Sequence, residues 1–446
     1  MTDSGKSVIV IGGGLSGLSA STLLTKQGFR VTLIEQKNRL GGRTFSFEDS
    51  TTSETIDNGQ HVMMGCYVYT LRWLGMLGQT HHLESADTIR IPFAEPRMEI
   101  YPLVIPDLPM PFHLVAGIFR FKNLSIRERF SLLKTASLLS FQTIDGSMSV
   151  DNWLTSVGQS EHSKKYFWYP VCLAVMNATA VNASAKLFID ALKQMFLVKH
   201  AYSKIMIPKV GLSELFAKPS ERVIKENSGC IILNQAVERI NVEKDTVTGI
   251  TLKDGGTMQA DRYLSAVHPG AFKKLFEPET IEAHFKDMMS YKTSPILSIY
   301  LWFNGPITDR LFDGPFIGCI NTHIQWVFKK SDTLLEVTIS DGAEIVDWDR
   351  KKIIDMVLEE MQSLFPEIDR ASVKHHQIIK ERLATFNPGP GSEKFRPSTV
   401  TSIKNFFLAG DWTDTGLPST IESAVKSGFA AANCIFPSKR GGQGDF

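Results

Sequence analysis

The chain has 446 residues, of which 43% are hydrophobic, and its formal net charge is +1 at pH 7. A single core stops growing at ~250–300 residues, so this length predicts two domains. The near-zero net charge provides no electrostatic footprint for nucleic acid and argues against such a partner. Five scattered cysteines without a CxxC pair indicate neither a disulfide framework nor a metal site.

The first predicted element is a β-strand over 8–11, which breaks into a Gly-x-Gly-x-x-Gly turn and a helical pattern over 15–27. The glycines allow a tight turn, close approach of a pyrophosphate and close helix packing, while the helix start attracts phosphate oxygens. A second strand over 31–34 ends in Glu35, at the spacing where an acid binds ribose hydroxyls. The predicted nucleotide contacts are Gly12, Gly14, Leu15, Ser16, Gly17, Glu35 and Gln36.

A glycine pair and an arginine follow the second strand, at Gly41, Gly42 and Arg43. NAD-binding and FAD-binding proteins share the Gly-x-Gly-x-x-Gly turn, but the glycine pair followed by an arginine resembles flavoproteins of the amine-oxidase and carotenoid-desaturase type. The glycines present bare backbone N–H groups for close approach, and Arg43 supplies a fixed cation for a phosphate or a carboxylate. The two patterns together favour FAD as the cofactor.

Near the other end of the sequence, a strand that contains a glycine is predicted over 405–410 and ends at Asp411. A helix is predicted to begin at Pro418. The positive end of that helix would face a reduced flavin, which carries negative charge near N1 and the C2 oxygen. Asp411 is expected to accept a hydrogen bond from ribityl hydroxyls rather than to act chemically. The further predicted cofactor contacts are Gly59, Gln60, His61, Val237, Gly410, Asp411, Pro418, Ser419, Thr420 and Ile421.

The strand and helix patterns divide the chain into interleaved pieces. We predict an α/β fold with a discontinuous, Rossmann-like FAD-binding domain of the GR2 type, formed by residues 1–80, 205–270 and 396–437. The two inserts, 81–204 and 271–395, are predicted to form an α+β substrate domain. The tail over 438–446 has no periodicity and is expected to be disordered.

One segment, 125–141, mixes apolar and basic residues at helical spacing after an N-cap serine. This amphipathic helix packs on its own domain or forms a monotopic patch on a membrane surface. The prolines between 101 and 121 are expected to break any helix there, and no run of ~18 apolar residues predicts a spanning helix. Since the first strand leaves no room for a signal peptide, we expect a cytoplasmic protein, with peripheral contact at the inner membrane face as the sharper alternative.

Three segments narrow the family: 57–67, 167–177 and 408–422. They closely resemble the bacterial squalene-associated FAD enzymes known as hydroxysqualene dehydroxylases, and the run 381–386 is similar too. The resemblance implies reductive removal of the allylic hydroxyl of hydroxysqualene, which gives squalene for hopanoid or related triterpene synthesis. A C30 isoprenoid needs a long apolar pocket, and the apolar and aromatic residues around 166–176 could line one. The alternative is that this segment belongs to the protein core. The candidate pocket residues are Phe167, Trp168, Tyr169, Leu173, Met176 and Trp412.

The chemistry that this resemblance implies is ionisation of the carbon–oxygen bond, assisted by a proton donor, followed by hydride transfer from N5 of the reduced flavin. His61 and Asp414 are the candidate donors, and a purely structural role is the alternative for each. With one nucleotide pattern in the chain, the electron donor stays open between NADPH and a separate reductase.

Other functions compatible with these patterns are a carotenoid-type desaturase or isomerase acting on another polyisoprenoid, an amine oxidase, and a non-catalytic isoprenoid carrier. Amine oxidases usually place a tyrosine two residues before the helix glutamate, where it helps to enclose the amine over the flavin. Here that position is Thr420, ahead of Glu422, which disfavours an amine substrate.

Overall fold

The computed structural model describes residues 5–436 except 87, 97–99, 140–143, 287, 289–291, 308–311 and 313, so the predicted tail over 438–446 lies outside the described residues. The strands are β1 Ser7–Ile11, β2 Arg30–Ile34, β3 Ser46–Glu48, β4 Thr55–Asp57, β5 Met63–Met64, β6 Leu83–Ser85, β7 Ile89–Ala94, β8 Tyr101–Ile105, β9 Ile205–Pro208, β10 Cys230–Ile232, β11 Val237–Glu243, β12 Thr246–Leu252, β13 Thr257–Met258, β14 Arg262–Ser265, β15 Thr293–Phe303, β16 Phe316–Cys319, β17 Trp326–Ser331, β18 Leu334–Ile339, β19 Val373–Phe386 and β20 Phe406–Leu408. The helices are α1 Leu15–Lys26, α2 Val68–Leu77, α3 Phe112–Arg120, α4 Ile126–Leu139, α5 Val150–Ser156, α6 Glu161–Ser163, α7 Tyr169–Met176, α8 Ala185–Phe196, α9 Lys218–Glu226, α10 Pro269–Phe272, α11 Pro278–His284, α12 Arg350–Leu364 and α13 Ile421–Ile435.

A five-stranded parallel sheet, in the order β10-β2-β1-β14-β20, forms the cofactor side of the molecule. Its strands read as β-branched and aromatic runs because both faces of the sheet are covered, and Val8 and Leu33 are fully buried. Parallel strands end at the same edge of a sheet, so the segments after β1, β2, β14 and β20 lie together. The predicted α/β, Rossmann-like fold is confirmed.

A second sheet of seven strands, in the order β19-β15-β18-β17-β16-β7-β8, is antiparallel except at the β16–β7 pair. Its strands come from the two inserts, β7 and β8 from the first and β15 to β19 from the second. Helix α12 covers one face, where Ile353, Val357 and Met361 are buried. The exact domain boundaries stay a prediction.

Two helices follow Tyr101, one that the sequence did not predict and one that it did. The prolines do not exclude a helix, because α3 begins directly after Pro111, and proline is tolerated at the start of a helix, where its missing N–H has no intrahelical partner. The amphipathic segment forms α4, and Ser125 and Glu128 close a capping box in front of it. Among the described residues, no helix combines the length and apolarity needed to cross a membrane.

Helices α1 and α13 pack against each other with no room for a side chain at the crossing point. A Cβ atom added to Gly428 would overlap the Ser19 hydroxyl and the Ser16 backbone oxygen. Both helices bury apolar residues against the parallel sheet, including Leu18 and Val425. The first and last segments of the parallel sheet are therefore joined by helix packing as well as by strand pairing.

We expect Gly428→Ala to lower the free energy of unfolding by about 1–3 kcal/mol, because overpacking a tight contact forces the helices apart. The control is Gly75→Ala, in the exposed face of α2, where an added Cβ meets no atom within 4 Å. This change should raise the free energy of unfolding by about 0.5–1 kcal/mol, since alanine has less conformational freedom to lose. Urea denaturation of both variants measures the pair, and equal stability of Gly428→Ala and wild type would contradict the tight crossing.

Candidate functional site

A cavity of about 1500 Å³ runs from the edge of the parallel sheet, past the seven-stranded sheet, to the helices of the first insert. Sites for one drug-sized ligand measure ~300–1,000 Å³, so this cavity is large enough for more than one such molecule. The predicted cofactor contacts that line it are Gly12, Gly14, Leu15, Ser16, Glu35, Gln36, Gly41, Gly42, Arg43, Gly59, Gln60, His61, Val237, Gly410, Asp411, Pro418, Ser419, Thr420 and Ile421.

The turn after β1 is shaped by its glycines. Gly12 has a φ of +106°, and an added Cβ would lie 2.9 Å from the backbone oxygen of Ala266. Gly14 lines the cavity, and the nearest atom to an added Cβ, Gly42 Cα, lies 3.9 Å away, at an ordinary contact distance. Gly17 does not line the cavity; an added Cβ there would overlap the Gly12 oxygen, which agrees with its expected packing role.

The N-terminus of α1 is an open anion site at this end of the cavity. The first N–H groups of a helix have no intrahelical acceptor, and here no side chain caps them and the first turn contains no acidic residue, so they can bind an anion. The Glu35 carboxylate accepts hydrogen bonds from the backbone N–H groups of Gly13 at 2.7 Å and Lys37 at 2.9 Å. These bonds hold the carboxylate at the cavity wall, and each oxygen keeps a second lone pair for a hydroxyl group.

Arg43 and Asp411 form an ion pair between the two ends of the chain. The Arg43 Nη2 lies 2.5 Å from Asp411 Oδ1, while Nη1 donates to the Ala384 backbone oxygen at 2.6 Å. Burial alone would raise the pKa of the Asp411 carboxyl, but Arg43 and the Ser419 hydroxyl outweigh it and lower that pKa. Of the two ligands expected for Arg43, the described residues provide the carboxylate.

A second arginine, which the sequence patterns did not indicate, supports the same turn. Arg396 is buried, and its guanidinium donates to the backbone oxygens of Asp411 at 2.9 Å and Leu417 at 2.7 Å. It therefore joins the end of β20 to the loop that leads into α13. An isolated arginine in a loop has no local pattern that would reveal this role.

The Asp57–His61 loop is held by its first two residues, and its last four residues line the cavity. Asp57 accepts hydrogen bonds from Ser46 Oγ at 2.7 Å and Leu212 N at 2.9 Å, so its charge serves the loop. The Asn58 side chain donates to the Arg43 backbone oxygen at 2.8 Å. Gly59 lies against β15, because an added Cβ would be 2.7 Å from the Ser298 hydroxyl.

The two proton donors proposed from the sequence lie in different places. His61 lines the cavity, where burial lowers its pKa, and its Nδ1 donates to the Gly59 oxygen at 2.9 Å. The ring is thus neutral near pH 7, with Nε2 as an acceptor, which does not suit an imidazolium acid. Asp414 is exposed and does not line the cavity, because the turn after Trp412 points it outward. In this position Asp414 cannot donate a proton to a substrate in the cavity, so the prediction for this residue is wrong.

The apolar end of the cavity receives only part of the predicted pocket. Phe167, Trp168 and Leu173 line it. Tyr169 instead donates its hydroxyl to Asp151 at 2.6 Å and lines a neighbouring cavity of about 350 Å³, and Met176 is core with 2% of its surface exposed. Trp412 touches the cavity at the cofactor end, and its ring packs in the core beside Phe272.

The seven-stranded sheet adds a polar group that the sequence patterns missed. Glu336 on β18 is fully buried, and Thr338 Oγ1 donates to its carboxyl oxygens at 3.0 and 3.1 Å. Burial raises the pKa of Glu336 to about 7, against the hydrogen bonds of Ser298 and Thr338 and the charge of Lys330. Ser298 and Thr338 line the cavity in front of it.

Comparison with known proteins places the chain in a family. Residues 15–436 match the flavin containing amine oxidoreductases. The chain belongs to this family. It is 26% identical to the hydroxysqualene dehydroxylase of Sinorhizobium fredii over 434 residues, which cover 96% of this chain and 98% of that protein. It is 25% identical to the 15-cis-phytoene desaturase of an Oncidium hybrid cultivar, with 96% and 77% covered.

Among solved structures, an oxidoreductase from Methanosarcina mazei superposes with a TM-score of 0.73 and 18% identity, over 95% of this chain and 99% of that one. The likeness shows the fold. The resemblance to hydroxysqualene dehydroxylases is confirmed as a similarity over nearly the full chain. The protein is an FAD-dependent oxidoreductase.

The residues present fit this cofactor. The glycine turn and the open start of α1 suit a pyrophosphate, and Glu35 suits the hydroxyls of an unphosphorylated ribose. The loop 59–61 and the start of α13 lie farther along the same cavity and would hold the flavin end. The start of α13 also favours negative charge on a reduced flavin.

We expect Arg43→Gln to lower the free energy of unfolding by about 1–3 kcal/mol, because it leaves the buried Asp411 carboxylate without its cation. FAD content after purification should fall with it. The control is Arg382→Gln, which removes an exposed ion pair with Asp347 and should change stability by less than about 1 kcal/mol. Denaturation curves and the flavin-to-protein absorbance ratio test both; equal effects of the two changes would contradict a special role for Arg43.

Proposed function

We propose that the protein removes the allylic hydroxyl of hydroxysqualene reductively and forms squalene, a step that serves hopanoid or related triterpene synthesis. The observation that carries the proposal is the continuity of one cavity between the FAD end and a long apolar arm. The similarity to hydroxysqualene dehydroxylases over nearly the whole chain supports the same substrate class.

The apolar arm suits a hydrocarbon because its wall consists of aliphatic and aromatic side chains from helices and from β7 and β8. A flexible isoprenoid chain gains free energy by burial against such a wall, at ~25 cal/mol per Å² of apolar surface. Residues of this wall include Ile89, Leu103, Leu114, Ile118, Leu132, Ala136, Leu139, Phe167, Val171, Leu173, Val175 and Phe196.

When bound, reduced FAD supplies a hydride to the carbon that loses its hydroxyl. The side chains of this protein would exclude water from that carbon, because apolar groups surround the arm, and they would orient the allylic end toward the loop 59–61. The leaving oxygen needs a proton, and Ser298 and Thr338 are hydroxyl groups of the cavity wall that could donate one.

A carotenoid-type desaturase acting on another polyisoprenoid is the second candidate, because 15-cis-phytoene and zeta-carotene desaturases are among the similar proteins. Desaturation removes hydrogen from the substrate and therefore starts from oxidised FAD, whereas dehydroxylation starts from reduced FAD. The direction of electron flow separates the two functions.

The test is anaerobic incubation of the FAD-loaded protein, reduced with dithionite, with hydroxysqualene. We expect squalene in the extract and reoxidation of the flavin in a single turnover. Oxidised protein incubated with phytoene is the parallel reaction, in which we expect no flavin reduction. Flavin that stays reduced with bound hydroxysqualene would contradict the proposal.

A matched pair of variants locates the substrate in the apolar arm. Ala136→Trp on α4 fills the arm and should reduce turnover of hydroxysqualene at least about tenfold without loss of FAD, because the isoprenoid substrate can no longer be positioned. Ser137→Trp, the next residue on the exposed side, should leave turnover unchanged.

We further propose that α3 and α4 rest on an anionic lipid surface and that the substrate enters there. Phe112, Phe119, Ile126 and Phe130 are exposed by 63, 38, 67 and 58%, and the rings of Phe119 and Phe130 meet edge to face at 5.3 Å. The exposed basic residues Arg120, Lys122 and Arg127 lie in the same two helices and the turn between them. Other residues of both helices line the apolar arm, so this wall is one helix thick.

We expect the protein to float with vesicles that contain anionic phospholipid, and a variant with serine at all four exposed apolar positions to bind at least about tenfold more weakly. The control carries serine at Val181 and Val400, which are exposed by 65 and 55% outside these helices. Wild-type protein that stays entirely in the soluble fraction would refute lipid contact.

A further inference from the structure

Glu336 is a buried acid in the wall behind the cavity, and it forms no ion pair within 4.0 Å among the described residues. Its side chain has no exposed surface, and its two carboxyl oxygens lie within hydrogen-bonding distance of Thr338 Oγ1, at 3.0 and 3.1 Å. The Ser298 hydroxyl and the Gln60 backbone N–H also face the carboxyl. Burying a charged carboxylate is costly, and a protonated carboxyl avoids that cost.

Among the described residues, the other titratable groups on this side of Glu336 come from β15, β17 and the Asp57–His61 loop. Tyr300 faces it from β15, where burial raises the pKa of the phenol well above its ordinary value and keeps it neutral. Lys330 on β17 donates to Gln60 Oε1 at 2.5 Å and favours the carboxylate by its charge. The loop brings Asp57, which is committed to Ser46 and Leu212, and the neutral His61.

Two hydroxyl groups separate Glu336 from the cavity. Thr338 and Ser298 line the cavity, whereas Glu336 does not. Thr338 on β18 lies directly opposite Ser298 on β15. A hydroxyl can accept a hydrogen bond from a protonated carboxyl while its own proton points elsewhere. A proton can therefore move from Glu336 to a hydroxyl as that hydroxyl releases its own proton into the cavity.

We propose that Glu336 holds the proton that leaves with the substrate oxygen and delivers it through the hydroxyls of Thr338 and Ser298. This inference rests on the proposed dehydroxylation. The carbon–oxygen bond breaks with both electrons on oxygen, and the delivered proton converts the leaving hydroxyl into water. The hydride from reduced FAD then forms the new carbon–hydrogen bond. Glu336 ends as a carboxylate and is reprotonated from solvent, so Glu336 is a positioning residue that acts through Thr338 and Ser298.

The pH dependence has a definite sign. The protonated carboxyl is the active form, so single-turnover rates in wild type should be constant below about pH 7 and fall above it. Glu336→Gln keeps the shape of the side chain but has no acidic proton. It should lower the rate at pH 6 by at least about 100-fold, the lower range for a positioned acid, and remove the decline at high pH.

Three further variants separate proton delivery from structural damage. Glu336→Asp should recover part of the rate and keep the decline at high pH, and Thr338→Val should slow the reaction while FAD stays bound. Ser294→Ala is the matched control, since Ser294 is a buried serine on the same strand as Ser298 but does not line the cavity. It should retain the wild-type rate.

A readout without substrate tests the proton itself. The unfolded glutamate loses its proton near its ordinary pKa, and the folded one keeps it to about pH 7, so this group makes wild type less stable as pH rises from 5 to 7. The melting temperature of Glu336→Gln should therefore rise relative to wild type across that range. Infrared spectra should show a protonated carboxyl band at pH 6 that is absent from the variant.

The outcomes distinguish the two proposals. No squalene from wild type, with the infrared band present, refutes the dehydroxylation and leaves a protonated acid without that use. Squalene from wild type, with Glu336→Gln equal to it in rate and pH profile, refutes delivery by Glu336 alone. Absence of the band at pH 6 also overturns the role of Glu336.

Discussion

The ion pair between Arg43 and Asp411 joins segments that are far apart in the sequence at the cofactor end of the cavity. It links the segment after β2 to the end of β20, and through Ala384 it reaches β19 of the second sheet. The Asp411 carboxylate also faces the start of α13, where its charge is favourable. The edge of the parallel sheet, the cofactor end of the cavity and the adjoining strand thus share one charge pair, in which Asp411 is buried and Arg43 is partly exposed, and its loss would disturb all three.

The cofactor side could be predicted from sequence because its signals are local. The turn after β1, Glu35 at the end of β2 and the glycines near Gly41 are each specified by a few neighbouring residues, and the structure places them along one cavity. The substrate side was predicted less well, for a local reason too. A π-helical turn over Lys164–Trp168 precedes α7 and shifts the helical phase, so Tyr169 turns to Asp151 while Phe167 and Leu173 face the cavity.

Glu336 could not be found in this manner. The run Leu334–Ile339 places Glu336 and Thr338 on one face of a strand, but an acid on a strand is usually solvated. Its meaning depends on register with β15, which puts Ser298 opposite Thr338 and Tyr300 opposite Glu336. That pairing joins residues about forty positions apart, and the Gln60 loop comes from much earlier in the chain. Asp414 is the opposite case, because it lies beside a recognisable motif in the sequence but is exposed and does not line the cavity.

The crossing of α1 and α13 at Gly428 has a consequence for the time at which the protein becomes functional. β14 finds its neighbour β20 only after the whole second insert has been made, and α1 finds α13 later still. Contacts so distant in sequence form slowly, and until then one edge of the parallel sheet and one face of α1 are uncovered. During synthesis the glycine turn therefore emerges well before α13, and the face of α1 that packs against Gly428 stays uncovered until α13 has been made.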